Sequence, residues 1–287
     1  MKNQLNIIGT AAATAVLSAV LLMGCEQTDY PTAIPATGPS EAAAARVLFV
    51  NASPDAPALN FLVENRVLGT AIASGQSTTY VNVPVGVVQL RARAATGTIG
   101  GVIGSNDIVF RAGPTNQTNF ATTSAANYTV FVVDSLRRPA PTTPLGVTNQ
   151  GGPQFLTVTD ILTAPTGDNA GVRFLHLAPD VTAVSVRLVP TSPATVTAVA
   201  AFNNRAFRAT SVTVGTVTTN YAAFTPVPAA TYTAQVFSGT AVPPTSSTIA
   251  PVLSVSGVTL ATGKLYTIYA RGLRRNGTLG AGVVLHN

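Results

Sequence analysis

The chain has 287 residues, enough for two domains that each bury a core. Only 9% of the residues are charged, tryptophan is absent, and the net charge of +6 is carried almost entirely by scattered arginines. Without a dense basic stripe, this charge supports no more than weak attraction to anionic surfaces, and we expect no nucleic-acid partner. The abundance of Thr, Val, Ala, Gly and Pro predicts an all-β fold.

The N-terminal segment, residues 1–24, has the pattern of a bacterial signal peptide. Lys2 provides a positive start, Ile7–Met23 is an apolar run, and Leu22-Met-Gly-Cys25 resembles a lipoprotein box that is cut before its cysteine. We therefore predict acylation of Cys25. It is the only cysteine, so no intramolecular disulfide can form. The alternative is an uncleaved membrane helix, because the apolar run is near the lower limit for a span.

Residues 25–45 are predicted to be the acylated cysteine and a tether. The segment is rich in Pro, Ala and Thr, which favours an extended conformation. At about 3.1 Å per residue such a tether would reach roughly 60 Å. The acyl chains would make a membrane the first partner of the protein, and we expect it to be the outer membrane of a Gram-negative bacterium, with the leaflet and orientation left open.

One sequence pattern occurs twice and organises the rest of the chain. Arg46–Asp55 and Val172–Asp180 each combine a short apolar run with a small-Pro-Asp turn, and an alternating segment follows. The apolar run predicts a strand that is buried on both faces, and Pro followed by Asp predicts a tight turn. The alternating segments predict strands with one face on a core.

Three more landmarks follow each copy in the same order. They are a Val-Pro turn, a Tyr-Thr strand and a Leu-Arg-Arg end. This order predicts a tandem duplication of two immunoglobulin-like antiparallel β-sandwich domains. We assign 46–138 to the first domain, 139–170 to a linker that includes a Pro- and Gly-rich stretch, and 171–287 to the second, with Pro190–Ser211 as an insertion. Within the range 139–170, Gln154–Asp160 could add a strand to either domain.

The repeated pattern resembles the DUF4397 domain, a family of bacterial cell-envelope modules without an established activity. The first copy keeps Ser53-Pro-Asp-Ala-Pro57, whereas the second has Ala178 in place of Ser and Val181-Thr182 in place of Ala-Pro. Family members often carry His before the turn, where this chain has Asn51 and His176. The resemblance implies a β-sandwich and implies no reaction.

Enzyme signatures are missing from the sequence. It holds no H-E-x-x-H, no G-x-S-x-G and no Cys/His cluster with zinc spacing. The only histidines are His176 and His286, and we expect the second, next to the chain end, to fray. We interpret His176 as a structural residue, with a hydrogen bond to Asp180. We predict no enzymatic activity, no metal and no cofactor.

Six charged residues remain as candidate ligand contacts. Asp55 and Asp180 occupy matched positions, and we expect them to cap turns, because neither has the second acid that a calcium site needs. The two Leu-Arg-Arg ends can be interpreted as solvated strand ends that protect sheet edges. If they fall at the same end of the fold, they could instead hold an anion. These residues are Arg137, Arg138, Arg274 and Arg275.

Together these features predict a membrane-anchored cell-envelope lipoprotein with a non-catalytic binding or structural role. A carbohydrate- or anion-binding surface module is the second hypothesis, with envelope glycans or proteins as partners. An enzyme with an unrecognised site is the third. The sequence leaves the ligand, the strand order and the oligomeric state open.

Overall fold

The computed structural model describes residues 44–96, 107–110, 119–139, 151–193, 200–239, 241–244 and 249–287. The predicted signal segment, Cys25 and nearly all of the predicted tether lie outside these residues. Within the described ranges, no helix has the length and apolar character that a bilayer span requires.

The described residues form β-strands and one short 3-10 helix, which confirms the all-β prediction. The first half contains β1 Ala45–Asn51, β2 Leu59–Val63, β3 Arg66–Ile72, β4 Val81–Val83, β5 Gly86–Ala94, β6 Asp107–Val109, β7 Asn119–Thr122, β8 Asn127–Val133 and β9 Gln154–Asp160. The second half contains β10 Asn169–His176, β11 Val184–Ser192, β12 Ala200–Arg205, β13 Ser211–Val214, β14 Val217–Asn220, β15 Thr225–Pro228, β16 Ala230–Ser238, β17 Leu253–Leu260, β18 Leu265–Arg271, the 3-10 helix Arg274–Asn276 and β19 Gly280–Leu285.

Each half contains an inner and an outer sheet, and the strand order of these sheets is the same in both halves. The inner sheets have the orders β4-β1-β8-β9 and β15-β10-β18-β19. The outer sheets have the orders β3-β2-β5-β6 and β12-β11-β16-β17, and β7 also pairs with β5. The alternating segments after the Pro-Asp turns are β2 and β11, and both lie in the outer sheets.

The inner sheets are mixed, which corrects the prediction of purely antiparallel sandwiches. β1 runs parallel to β8, with Val47 opposite Tyr128, and β10 runs parallel to β18, with Val172 opposite Tyr266. A parallel pair needs a long crossover, because its strands cannot be joined by a hairpin. Here the outer sheet of each half provides that crossover.

The two inner sheets pack against each other, which explains why their central strands are buried on both faces. In β1, Val47 and Phe49 face the core of the first half. Leu48 and Val50 point the other way, into a separate apolar cluster. That cluster draws on both halves, and its buried members are Leu48, Val50, Ala52, Phe131, Val133, Val158, Leu175, Leu177, Tyr269 and Val284.

Part of the range assigned to the linker belongs to a sheet, and the strand that Gln154–Asp160 could add is present. Residues 154–160 of the assigned range 139–170 form β9, which pairs antiparallel with β8 along its length. Val158 in β9 contributes to the cluster between the halves. Residues 41–287 therefore form one compact unit rather than two domains joined by a free linker.

The predicted insertion also lies elsewhere. The range Pro190–Ser211 contains the end of β11 and all of β12, and β12 pairs with β11 as β3 pairs with β2. The additional element of the second half is the exposed hairpin of β13 and β14, which has no counterpart between β3 and β4. The sequence pattern placed the insertion too early in the chain. The reason is that apolar and polar residues alternate no more clearly in β13 and β14 than they do in β12.

Candidate functional site

The Pro-Asp corner of the second half is joined to the Leu-Arg-Arg turn of the same half. The carboxylate of Asp180 accepts hydrogen bonds from the backbone N–H groups of Arg274 at 2.8 Å and Arg275 at 2.9 Å. The two landmarks, which are far apart in sequence, therefore form one structural unit. Leu273 anchors the turn from inside, since only 2% of its surface is exposed.

The first half has the corresponding link with a different set of donors. Asp55 accepts from the Ser135 hydroxyl at 2.5 Å and from the backbone N–H of Leu136 at 2.8 Å. Both aspartates therefore cap a turn. The capped turn is not the Pro-Asp corner itself but the turn that follows β8 in the first half and β18 in the second. A short carboxylate at a fixed corner is well suited to this task because it accepts several bonds at once.

The Leu-Arg-Arg segments lie in turns that leave central strands, which corrects their interpretation as guards of sheet edges. Their preceding strands, β8 and β18, each have neighbours on both sides. Leu136 packs against the first core, and the side chains of Arg137, Arg274 and Arg275 are exposed. Edge protection therefore gives no reason for the paired arginines.

The two turns meet at one cavity of about 240 Å³ between the halves. Arg137 and Arg138 line it from the first half, and Arg275 lines it from the second. Arg274, although adjacent in sequence, lies outside the lining. The structure thus brings together three of the four arginines that the sequence singled out. The remaining lining residues are Asp134, Ser135, Pro139, Pro179, Asp180, Phe207 and Leu273.

Asp134 is the buried acid at this cavity, and its charge is already compensated. Its carboxylate lies 3.1 Å from Nε of Arg138 and accepts from the Gln154 amide at 3.0 Å and from the Ser135 N–H at 2.9 Å. Arg208 lies close enough to feel the charges of both Asp134 and Arg138, and burial lowers the pKa of its guanidinium.

His176 is a structural histidine, but its partner is not Asp180. Its Nε2 lies 3.0 Å from the carbonyl oxygen of Val181, so Nε2 carries the proton. The side chain is 1% exposed, and burial lowers its pKa. The matched residue Asn51 has an equivalent role, since its amide donates to the carbonyl of Pro57 at 3.0 Å. Each residue ties the end of an inner strand to the loop after the corner.

His286 is buried rather than frayed, and it belongs to a ring of hydrogen bonds across the two halves. Nε of Arg173 donates to Thr267 at 2.7 Å, and the Thr267 hydroxyl contacts Nε2 of His286 at 2.7 Å. Nδ1 of His286 contacts Tyr80 at 2.8 Å, and Tyr80 donates to Asp160 at 2.7 Å. Because the Tyr80 hydroxyl donates to Asp160, it accepts from Nδ1 of His286, which therefore carries a proton.

An ion pair closes the ring. Nη2 of Arg173, from the second half, lies 2.7 Å from Oδ1 of Asp160, from the first, and neither side chain is exposed. Burial and the Arg173 charge lower the pKa of His286 to about 3. Burial and the Asp160 charge raise the pKa of Tyr80.

Sequence reasoning missed this ring, although one signal was available. Arg173 interrupts the apolar run of β10, and a charge at the centre of a strand buried on both faces requires a buried partner. The partner itself could not be found from the sequence, because Asp160 lies in the other half. In the part of the chain that the structure describes, no three His, Cys, Asp or Glu side chains come together as metal ligands would.

Comparison with known proteins identifies a family and no function. No curated protein matches the chain. Among solved structures, a candidate cell adhesion protein from Bacteroides fragilis aligns over 85% of this chain and 98% of its own, at 10% identity and a TM-score of 0.20. A family model matches one continuous range that runs from β1 into β11. Residues 45–187 therefore form a DUF4397 domain, a family described as a domain of unknown function.

Proposed function

We propose that this protein is a lipid-anchored component of the cell envelope with a non-catalytic, binding or structural role. The anchor rests on the lipoprotein-like segment that ends at Cys25. Two or three acyl chains hold firmly where one would not, since each buried methylene contributes about 0.8 kcal/mol. The outer membrane of a Gram-negative bacterium is the location we propose.

The non-catalytic role is supported by one observation about the histidines. Both are almost fully buried, and both are committed to hydrogen bonds that join structural elements. A general base must reach the proton that it removes from a substrate, and neither ring is open to one. The rigid pairing of the inner sheets suits a body that is displayed at the end of a tether.

We further propose that the two halves arose by tandem duplication and that each is an immunoglobulin-like sandwich. The shared strand order, the matched parallel pairs and the matched aspartate links support this proposal. Duplication explains why similar residues recur at equivalent corners even though their donors differ.

The anchor is tested by intact mass spectrometry of protein extracted from membranes. We expect cleavage before Cys25 and a mass increase for its acyl chains, and we expect globomycin to block the cleavage. Cys25→Ser should abolish the mass increase from the acyl chains. An unmodified thiol at position 25 in membrane-extracted protein would refute the lipoprotein proposal.

The second candidate function is a surface module for carbohydrates or anions. The convergence of Arg137, Arg138 and Arg275 on one cavity favours it. It is compatible with a lipid anchor, because the anchor sets the location and the cavity sets the ligand.

A further inference from the structure

The geometry points to a composite oxyanion site between the two halves, at the cavity lined by Arg137 and Arg275. We propose that it binds one phosphate, sulfate or carboxylate group carried by a ligand the size of a single sugar. This inference rests on the second candidate function and makes it specific. Neither half forms the site alone, because each contributes one exposed arginine.

The guanidinium groups of Arg137 and Arg275 are available for a ligand. Both side chains are exposed, and neither makes a hydrogen bond or ion pair through its side chain within the described residues. A guanidinium presents its donors as a planar fork that matches the oxygens of phosphate, sulfate or carboxylate. Two forks from different turns can therefore hold one group from two sides.

The acids at the cavity do not compete for these arginines. The carboxylate of Asp180 is taken up by two backbone N–H groups, and that of Asp134 by Arg138, Gln154 and a backbone N–H. Their lone pairs are directed into the turns. The lining carries three arginines against two aspartates, so it retains one positive charge.

The rest of the cavity wall suits the apolar face of a sugar ring. Phe207 contributes carbon surface, and Pro139 and Pro179 add the rigid edges of two turns. A volume of about 240 Å³ fits a small ligand rather than a long chain. The arginines would select the charge, and the apolar wall would favour a ring over a free ion.

The site can be tested by titration calorimetry on the full chain, purified from membranes in a nonionic detergent. The probes are inorganic phosphate, galacturonate and galactose. We expect phosphate and galacturonate to bind, galactose to bind at least tenfold more weakly than galacturonate, and the affinity to fall as salt is added. Stronger binding of galacturonate than of phosphate would identify an acidic sugar as the source of the oxyanion, and the reverse order would identify free phosphate.

Arg274 provides a matched control, because it neighbours Arg275, is equally exposed and does not line the cavity. Arg137→Gln and Arg275→Gln should each weaken the binding about tenfold, as expected for one charge-assisted contact. Arg274→Gln should leave the binding unchanged. The Asp180 bonds survive in all three variants, since they come from backbone N–H groups.

Three results would overturn the proposal. They are equal weakening by Arg274→Gln and Arg275→Gln, equal binding of galactose and galacturonate, and no binding of phosphate or galacturonate at millimolar concentration. None of them affects the lipid-anchor proposal, because that proposal is decided by the mass and location of the chain at Cys25.

Discussion

The two halves share a strand order and a link from the Pro-Asp corner to the Leu-Arg-Arg turn, yet the side chains around that link differ. In the first half, the buried Ser53 hydroxyl donates to the carbonyl of Asp134 at 2.7 Å. The second half has Ala178 at the matched position and loses that bond. There Asp180 accepts from two backbone N–H groups, whereas Asp55 accepts from one N–H and one hydroxyl.

This difference shows which contact at the corner the fold depends on. A backbone turn that leaves a central strand must have its N–H groups satisfied, and a carboxylate at the corner does this in both halves. The groups that donate to this carboxylate differ between the halves. Asn51 and His176 likewise make equivalent contacts with different side chains. The halves further differ in what they contribute to their interface, since the first provides Asp160 and the second provides Arg173.

The largest effect should come from breaking that interface pair. We expect Arg173→Met to lower the free energy of unfolding by about 3–5 kcal/mol, because it leaves the Asp160 charge buried without its counter-ion. Urea denaturation followed by fluorescence or circular dichroism measures the loss. If the halves depend on each other, amide exchange should rise in β8 and in β18 alike.

The matched control is the double variant Asp160→Asn with Arg173→Met. Removing both charges removes the penalty of an unpaired one, so the double variant should lose less than the sum of the two single variants. Additive losses, or faster exchange in one half only, would mean that the halves are stable independently of this contact.

A smaller, pH-dependent effect should come from the second half, which carries both histidines. The pKa of His286 is about 3 in the folded chain, against an ordinary value of 6.5. Below pH 6.5 the unfolded chain therefore binds a proton that the folded chain does not. The contribution of His286 to the free energy of unfolding is therefore complete above pH 6.5 and is lost as the pH falls toward 3. Between pH 6.5 and pH 5 the free energy of unfolding should fall by about 2 kcal/mol.

Urea denaturation at several pH values between 7 and 5 tests this effect. His286→Gln keeps a neutral hydrogen-bonding group and removes the titration, so its stability should depend less on pH. A residual slope should remain, because burial lowers the pKa of His176 in the same direction. An unchanged slope in His286→Gln would show that His286 is not the titrating group.

The smallest effect on stability should come from replacing the two corner aspartates, and it should differ between them. Asp180→Asn should cost about 1–2 kcal/mol of unfolding free energy, because its amide would face a backbone N–H that cannot accept. Asp55→Asn should cost less, since the Ser135 hydroxyl can turn and accept from the amide. Thermal denaturation of the two variants side by side makes the comparison, and a larger loss for Asp55→Asn would contradict it.

Much of the fold could be predicted from the sequence because the signals are local. Period-two alternation indicated β2 and β11 with the correct core faces. β9 is the strand that Gln154–Asp160 could add to either domain, but the Pro- and Gly-rich stretch before it indicated a linker, so the sheet that it joins was left open.

The candidate site could be predicted only in part. Turn chemistry and repetition singled out the arginines and the two aspartates from the sequence alone. Their meeting at one cavity, and the pairing of Arg173 with Asp160, depend on how the inner sheets dock.

The sequence by itself thus determined the strands, the corners and the two-faced burial of β1 and β10, because each follows from the spacing of neighbouring residues. Only the tertiary structure decided what covers the second face of those strands. Apolar surface is non-directional, so a buried run reveals that it needs a partner without revealing which one. In this protein the partner of each inner sheet is the inner sheet of the other half.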